Sequence, residues 1–177
     1  MSDIRKWLEE VRKLDADLLD AMGVQSKDHP KLGAVAAFPY IRSGKPYAAK
    51  FRTLDKRWSS SAGVSRGLYN EDDLGRLKDL PVVITEGEID CLSVMQSGYE
   101  RAVSLPDGWT ADGEKRQCLL DAEDRLRQSP YVIVAGDNDE AGRSLPKAVA
   151  NILAGHEVRY VTWPTGCKDA NDVLVAY

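Results

Sequence analysis

Residues 81–96 read PVVITEGEIDCLSVMQ and residues 131–143 read YVIVAGDNDEAGR. In each, an apolar run of strand length stops at an acid and a glycine, and a helical pattern follows. PVVIT runs into EIDCLSVMQ, and YVIVAG into DEAGRSLPKAVANILA. Between them RAVSL reads as a short strand leading through PDG to a helix over about 112–128, and EVRYVTW then reads as a fourth strand before a last short helix in ANDVLVAY. Four strands alternating with helices predict an α/β fold with a parallel four-stranded sheet, helices on its faces and right-handed crossovers. Pro146 lacks the N–H that a helix interior uses, so the third helix is expected to begin near it or to bend there.

The first 79 residues read differently. Ile4, Trp7, Leu8, Val11, Leu14, Leu18, Leu19 and Met22 recur at helical spacing, with Ser2 or Asp3 as cap and Gly23 as stop, which predicts one amphipathic helix over 3–22. Trp7 lies on its apolar face, as a packing residue. Over residues 34–58, AVAAFPYI and PYAAKFRT are separated by SGK and followed by the turn-prone LDKR, the pattern of a small antiparallel meander. The expected organisation is a helix with a small basic α+β subdomain at 1–79 and the parallel-sheet domain at 80–177.

Charge divides along the same line. The chain of 177 residues has a formal charge of −4, yet residues 41–67 carry seven basic residues (Arg42, Lys45, Lys50, Arg52, Lys56, Arg57, Arg66) against Asp55 alone. A basic segment beside an acidic body suits a polyanion held at one end, with cations mediating at the other; a solvated face is the plainer alternative. No apolar run approaches the roughly 18 residues of a spanning helix. The start, MSDIRKWLEEV, is charged where a secretory signal would be apolar, so the expected location is the cytoplasm, away from membranes. Cys91, Cys118 and Cys167 form no C-x-x-C pair, and His29 and His156 have no partner at ligand spacing. Neither a disulfide framework nor zinc is expected, and any metal would be held by carboxylates.

The acids fall where such a fold places chemistry, beyond the carboxyl ends of the strands. Glu86 follows the first strand, Asp137 and Asp139 the third, and Asp169 the fourth; Asp90 lies four residues after Glu86 and can face the same space. Carboxylates held together repel, so a cation is their natural resident, and oxygen-only ligands point to Mg²⁺ or Mn²⁺. Two such ions could activate a 3′-hydroxyl and stabilise a leaving pyrophosphate. Helix N-capping is the alternative for Asp137 and Asp139. Gly87 and Gly142 suit either close backbone approach or ordinary strand-to-helix turns.

TEGEID (Thr85 to Asp90), DNDEAGR (Asp137 to Arg143) and CKDAND (Cys167 to Asp172) resemble, in order, the three acidic motifs of the Toprim domain. The version is similar to that of phage-type primase-helicases and their mitochondrial relative Twinkle. Lys50 and Lys56 in KFRTLDK match the paired-lysine motif of phage-type primases, and SLPDG (Ser104 to Gly108) resembles the S-L-x-x-G loop after their second Toprim strand. The resemblance covers about residues 34–177. It implies a Toprim fold and a DNA primase core that makes short RNA primers on a single-stranded DNA template from nucleoside triphosphates, with a replicative helicase in cis or trans.

By the same resemblance Glu86, Asp137 and Asp139 are the central metal-binding acids, completed by Asp90 and Asp169, with Glu86 either a ligand or the general base. Lys50, Arg52, Lys56 and Arg57 hold triphosphate or the nucleic-acid backbone, Lys50 and Lys56 within the catalytic set. Arg143 and Lys168 assist with phosphate or neutralise the acids by ion pairing. Tyr47 and Trp58 can stack on a base or fill the small subdomain's core. Trp109 and Trp163 remain open between an interface and cover for the sheet edge.

Family members usually begin with a zinc module, and the phage type ends with a helicase. No cysteine cluster lies upstream of residue 34 and no G-x-x-x-x-G-K-[ST] loop occurs, so the expectation is the catalytic core of a longer protein or a stand-alone product. Two other functions compete: DNA cleavage, as in topoisomerases and nucleases that share Toprim, and a non-catalytic DNA-binding replication accessory. The basic segment and its lysine pair favour synthesis over cleavage.

Overall fold

The structure, a computed structural model, describes residues 3–64, 67–76, 78–110 and 116–177. Ser2, Arg66 of the basic run and the 112–115 start of an expected helix lie outside the described residues.

The N-terminal segment corrects the single-helix expectation. Helix α1 (Asp3–Lys6) continues as a π turn over Trp7–Val11, and a separate α2 spans Ala16–Ala21. Lys13 sits at φ 57, in the left-handed region that ends a helix. The break is held by a residue far along the chain: Asp15 N–H donates to Gln96 Oε1 at 2.7 Å, and Gln96 Nε2 donates to the Lys13 carbonyl at 2.8 Å. Asp15 then caps α2, its Oδ1 accepting from Asp17 and Leu18 N–H. Ile4, Leu8, Leu14 and Leu19 stay buried, whereas Val11, expected on the same face, is 55% exposed.

Four antiparallel strands follow in sequence order: β1 (Gln25–His29), β2 (Gly33–Arg42), β3 (Lys45–Arg52) and β4 (Trp58–Ser60). Strand β1, QSKDH, has no apolar alternation and pairs antiparallel with β2 from Gln25 to His29. Just before α3 (Asp73–Arg76), Tyr69 exchanges backbone hydrogen bonds with Ser104, which ties this half to the sheet of the other.

The second sheet runs β6–β5–β7–β8, all parallel, from β5 (Val82–Thr85), β6 (Ala102–Ser104), β7 (Val132–Ala135) and β8 (Val158–Tyr160). Its helices are α4 (Glu88–Gln96), α5 (Gln117–Leu126), α6 (Glu140–Ile152) and α7 (Ala170–Ala176). Alternation sends Val82, Ile84, Val132 and Val134 into one core with residues of α5 and α6. Val83 and Ala135 enter the other, with α4 and the N-terminal residues Ile4, Leu8, Phe38 and Tyr40. Helix α6 does not begin near Pro146: Asp139 caps it seven residues earlier, and the proline sits inside, where the missing N–H costs one ladder bond. No helix among the described residues is long and apolar enough to cross a membrane.

Candidate active site

The carboxyl ends of β5 and β7 are clasped by one side chain. Glu86, just past β5, accepts Asp137 N–H on Oε1 at 2.9 Å and Trp109 N–H on Oε2 at 3.2 Å. Gly142 makes this possible, since a Cβ there would stand 2.0 Å from the Asp137 carbonyl oxygen and 2.6 Å from Glu86 Oε1. Gly87 is less constrained; a Cβ would come within 3.1 Å of Asp90 Oδ2.

Three acids converge beside this clasp. Asp90 in the first turn of α4, Asp137 after β7, and Asp169 at the N-cap of α7 each bring one oxygen within 4.8 Å of the others. Asp90 Oδ1 also accepts Asn171 N–H at 3.1 Å. Burial, then repulsion from Asp169, pushes Asp90 up to about 8. The same two causes raise Asp137 to about 6, with Lys168 opposing. Glu86 is raised to about 7, chiefly by burial, while its two backbone donors pull the other way. Asp139 is exposed and spends Oδ1 on Gly142 N–H at 2.8 Å, so the capping alternative describes Asp139 and not Asp137.

The basic segment supplies the facing wall. Lys50, on β3, is 8% exposed; its Nζ lies 3.1 Å from Glu88 Oε1, donates to the Pro106 carbonyl, and stands 4.5 Å from the Trp58 ring centre. Glu88, 1% exposed, also accepts the Tyr40 hydroxyl at 2.6 Å. Lys50 and Trp58 on one side, and Glu86, Asp90 and Asp137 on the other, line a cleft of about 570 Å³. A smaller cavity of about 190 Å³ adjoins it, where Arg12, Arg52 and Lys56 meet Asp90 and Asp169. Arg52, 3% exposed, stacks on Trp7 at 4.3 Å and faces Trp58 at 5.3 Å. Burial, with Arg12 adding repulsion, lowers its guanidinium to about 10.

The remaining expected residues are placed unevenly. Lys56 lines the smaller cavity at a left-handed φ of 64. Arg57 is exposed and paired with Asp55 at 2.9 Å. Lys168 lies 3.6 Å from Asp169, and Arg143 is exposed, donating to the Asn138 carbonyl at 3.0 Å. Tyr47 packs edge-on to Tyr40 under Arg42, and Trp58 is 45% exposed in the cleft. Trp109 is buried, with its indole N–H on Ser144 Oγ, and Trp163 donates to the Gly136 carbonyl at 2.7 Å.

Sequence reasoning missed Glu88, Asn171 and Arg12. Glu88 and Asn171 lay inside the TEGEID and CKDAND motifs without being singled out; nothing marked Arg12. Asn171, 1% exposed, accepts Arg12 Nη1 at 3.0 Å and donates Nδ2 to the Arg12 carbonyl at 2.8 Å and to Ser93 Oγ at 2.9 Å, which fixes Arg12 beside Asp90.

Acids at the ends of parallel strands, approached by a basic antiparallel sheet, define a Toprim-type site. A family model described as Toprim-like matches residues 83–174, more than half of the chain, and the chain belongs to this family. It is 30% identical over 158 residues to the Twinkle homolog protein, chloroplastic/mitochondrial, of Arabidopsis thaliana, covering 80% of this chain and 22% of that protein. It is 34% identical over 138 residues to the DNA helicase/primase of Enterobacteria phage T3, covering 74% and 22%. The chain thus spans about a fifth of the length of these two relatives. The crystal structure of the primase fragment of the bacteriophage T7 primase-helicase protein matches with a TM-score of 0.78 at 26% identity, over 94% of this chain and 67% of that one. The α/β architecture is that of a primase catalytic core.

Proposed function

We propose that this chain is the catalytic core of a DNA primase, synthesising short RNA primers on single-stranded DNA from nucleoside triphosphates in the cytoplasm. The observation that carries the reading is the cleft in which Lys50 and Trp58 face Glu86, Asp90 and Asp137. A triphosphate needs cations on one side and metal-bearing carboxylates on the other, and the cleft supplies both. Kinship with the T3 and T7 primase-helicases supports the same assignment, and a helicase in cis or trans is the matching partner.

The donor set suits Mg²⁺ or Mn²⁺. It is made of oxygens alone, and mutual repulsion helps hold Asp90 and Asp137 above the ordinary carboxylate range, the condition that a divalent cation relieves. Asp90, Asp137 and Asp169 would hold an ion, with Glu86 and Asp139 adjoining for a second. When bound, such ions lower the pKa of a primer 3′-hydroxyl and neutralise charge at the phosphoryl group.

The chain's own groups complete the assignment. Lys50, fixed by Glu88 and the Pro106 carbonyl, presents a localised positive charge to a phosphate. Arg52 and Lys56 extend that charge into the adjoining cavity. Trp58 offers a face on which a base can stack. Glu86, raised to about 7, exchanges a proton near neutral pH, as a general base must. Residues 1–79 act as the phosphate-binding half and 80–177 as the metal-binding half.

Extension of a short RNA annealed to single-stranded DNA, in Mg²⁺ or Mn²⁺, tests the reading. Wild type extends the primer, whereas Glu86→Gln and Asp137→Asn do not, although both retain single-strand binding. Acid variants that polymerise normally but bind DNA worse would sink the catalytic assignment.

A further inference from the structure

We propose that the groove between α6 and β8 is a single-stranded DNA track leading out of the acid cleft; the inference rests on the primase reading for its direction. The groove, of about 600 Å³, lies on the far side of the Asp137 loop, between Arg143, Pro146 and Lys147 on one wall and Tyr160, Thr162 and Trp163 on the other. Asp137 borders both this groove and the cleft that holds Lys50, so a chain leaving one enters the other.

Three features fit a polyanion with free bases. Arg143 and Lys147 stand one helical turn apart on α6, both exposed, and neither forms an ion pair with an acid among the described residues. Arg159 does not compete for the ligand, being paired with Glu157 at 2.7 Å and stacked on Tyr131 at 3.7 Å. Tyr160 is 68% exposed, and Trp163, which lines the same groove, is oriented by its bond to the Gly136 carbonyl. A single strand offers phosphates to the two cations and unstacked bases to the tyrosine, whereas a duplex keeps its bases for itself. Strand β8 pairs only with β7 among the described residues, leaving its outer edge open. A protein strand could use that edge, but it would leave the two cations without a counter-charge.

The test is fluorescence anisotropy of a labelled oligodeoxythymidylate of about 12 nucleotides, titrated with the whole chain across a salt series. Tyr160→Ala should weaken binding at least about fivefold, while Tyr160→Phe binds like wild type. Lys147→Ala should reduce the slope of log K on log salt by about 0.7, the value for one phosphate contact on a single strand, and Lys147→Arg should restore it. Wild-type affinity and slope in both alanine variants would overturn the track and leave the edge to a protein strand. Primer extension is run in parallel. Weakened binding in the variants of a chain that extends nothing upholds the track and sinks the primase reading; active extension with unaltered binding does the reverse.

Discussion

Glu86 and Asp137 are joined by a hydrogen bond of 2.9 Å from the backbone of the second to the carboxylate of the first. The bond ties the exit of β5 to the exit of β7, so the residue expected to perform chemistry also fixes the loop that carries another acid. Glu86→Gln therefore has two effects. Its amide nitrogen meets a backbone N–H that wanted an acceptor, which costs about 1 kcal/mol, and primer extension is lost. Urea unfolding measured beside extension separates the two.

Gly142→Ala is the sharper test of the same clasp. A methyl group would stand 2.0 Å from the Asp137 carbonyl oxygen, so the loop must move. Displacement by about 1 Å costs on the order of 100-fold in a preorganised site. We expect extension to fall by at least that factor and calorimetric Mg²⁺ affinity to drop with it; an active alanine variant would show that the loop is softer than its packing implies.

The Lys50–Glu88–Tyr40 cluster separates stability from chemistry. Glu88→Gln leaves a nearly buried ammonium without its counter-charge and should cost about 3–5 kcal/mol. The triple variant Lys50→Met, Glu88→Leu, Tyr40→Phe removes every member of the cluster and should recover most of that loss without recovering extension. Denaturant midpoints and extension rates, measured on both proteins, check the pair of outcomes.

Asp137, Glu86 and Asp90, raised to about 6, about 7 and about 8, shape the pH response of the metal-free protein. A raised folded-state pKa means that the folded chain holds protons which the unfolded chain releases near pH 4. Their contribution is complete below that pH and is lost as pH climbs through about 6, about 7 and about 8. In a chelator the thermal midpoint should fall across this window. Mg²⁺ should flatten the fall by supplying the missing positive charge, and Asp90→Asn should remove its upper part. A midpoint that is flat in chelator from pH 5 to 8 would contradict the crowding.

Asn171 anchors the N-terminal segment. Asn171→Ala removes three hydrogen bonds from a side chain that is 1% exposed, and about 2–3 kcal/mol is the expected cost. Arg12 then loses its fixed position beside Arg52. Faster tryptic cutting at Arg12 or Lys13 in native protein would report the release.

The centre of the parallel sheet was legible because β5 and β7 are largely buried and so read as unbroken apolar runs. EIDCLSVMQ coincides with α4, Glu88–Gln96, since Gly87 and Ser97 bound it in sequence as in space. The N-terminal periodicity was misleading for a physical reason: two short helices with a kink bury Ile4, Leu8, Leu14 and Leu19 as well as one long helix would, and the distant residues Gln96 and Asn171 hold the kink. Strand β1 carries no apolar pattern, because it lies almost wholly exposed at the edge of its sheet. Five acids could be singled out from strand ends, but not which three converge, since Asp139 turns back to cap its own helix. Lys50 was legible as a phosphate-binding candidate, but its pairing with Glu88, 38 positions away, is announced by no local spacing.

The acid trio also has a kinetic meaning. Asp90, Asp137 and Asp169 lie 47 and 32 residues apart along the chain, so no two of them meet until separate crossovers have closed onto the sheet. Contacts of that range form late in folding, after the loop entropy has been met. A divalent ion that needs all three oxygens finds no site in the transition state and stabilises only the finished structure. It should slow unfolding while leaving the refolding rate where it was, so that the ion acts as a latch on a door already shut.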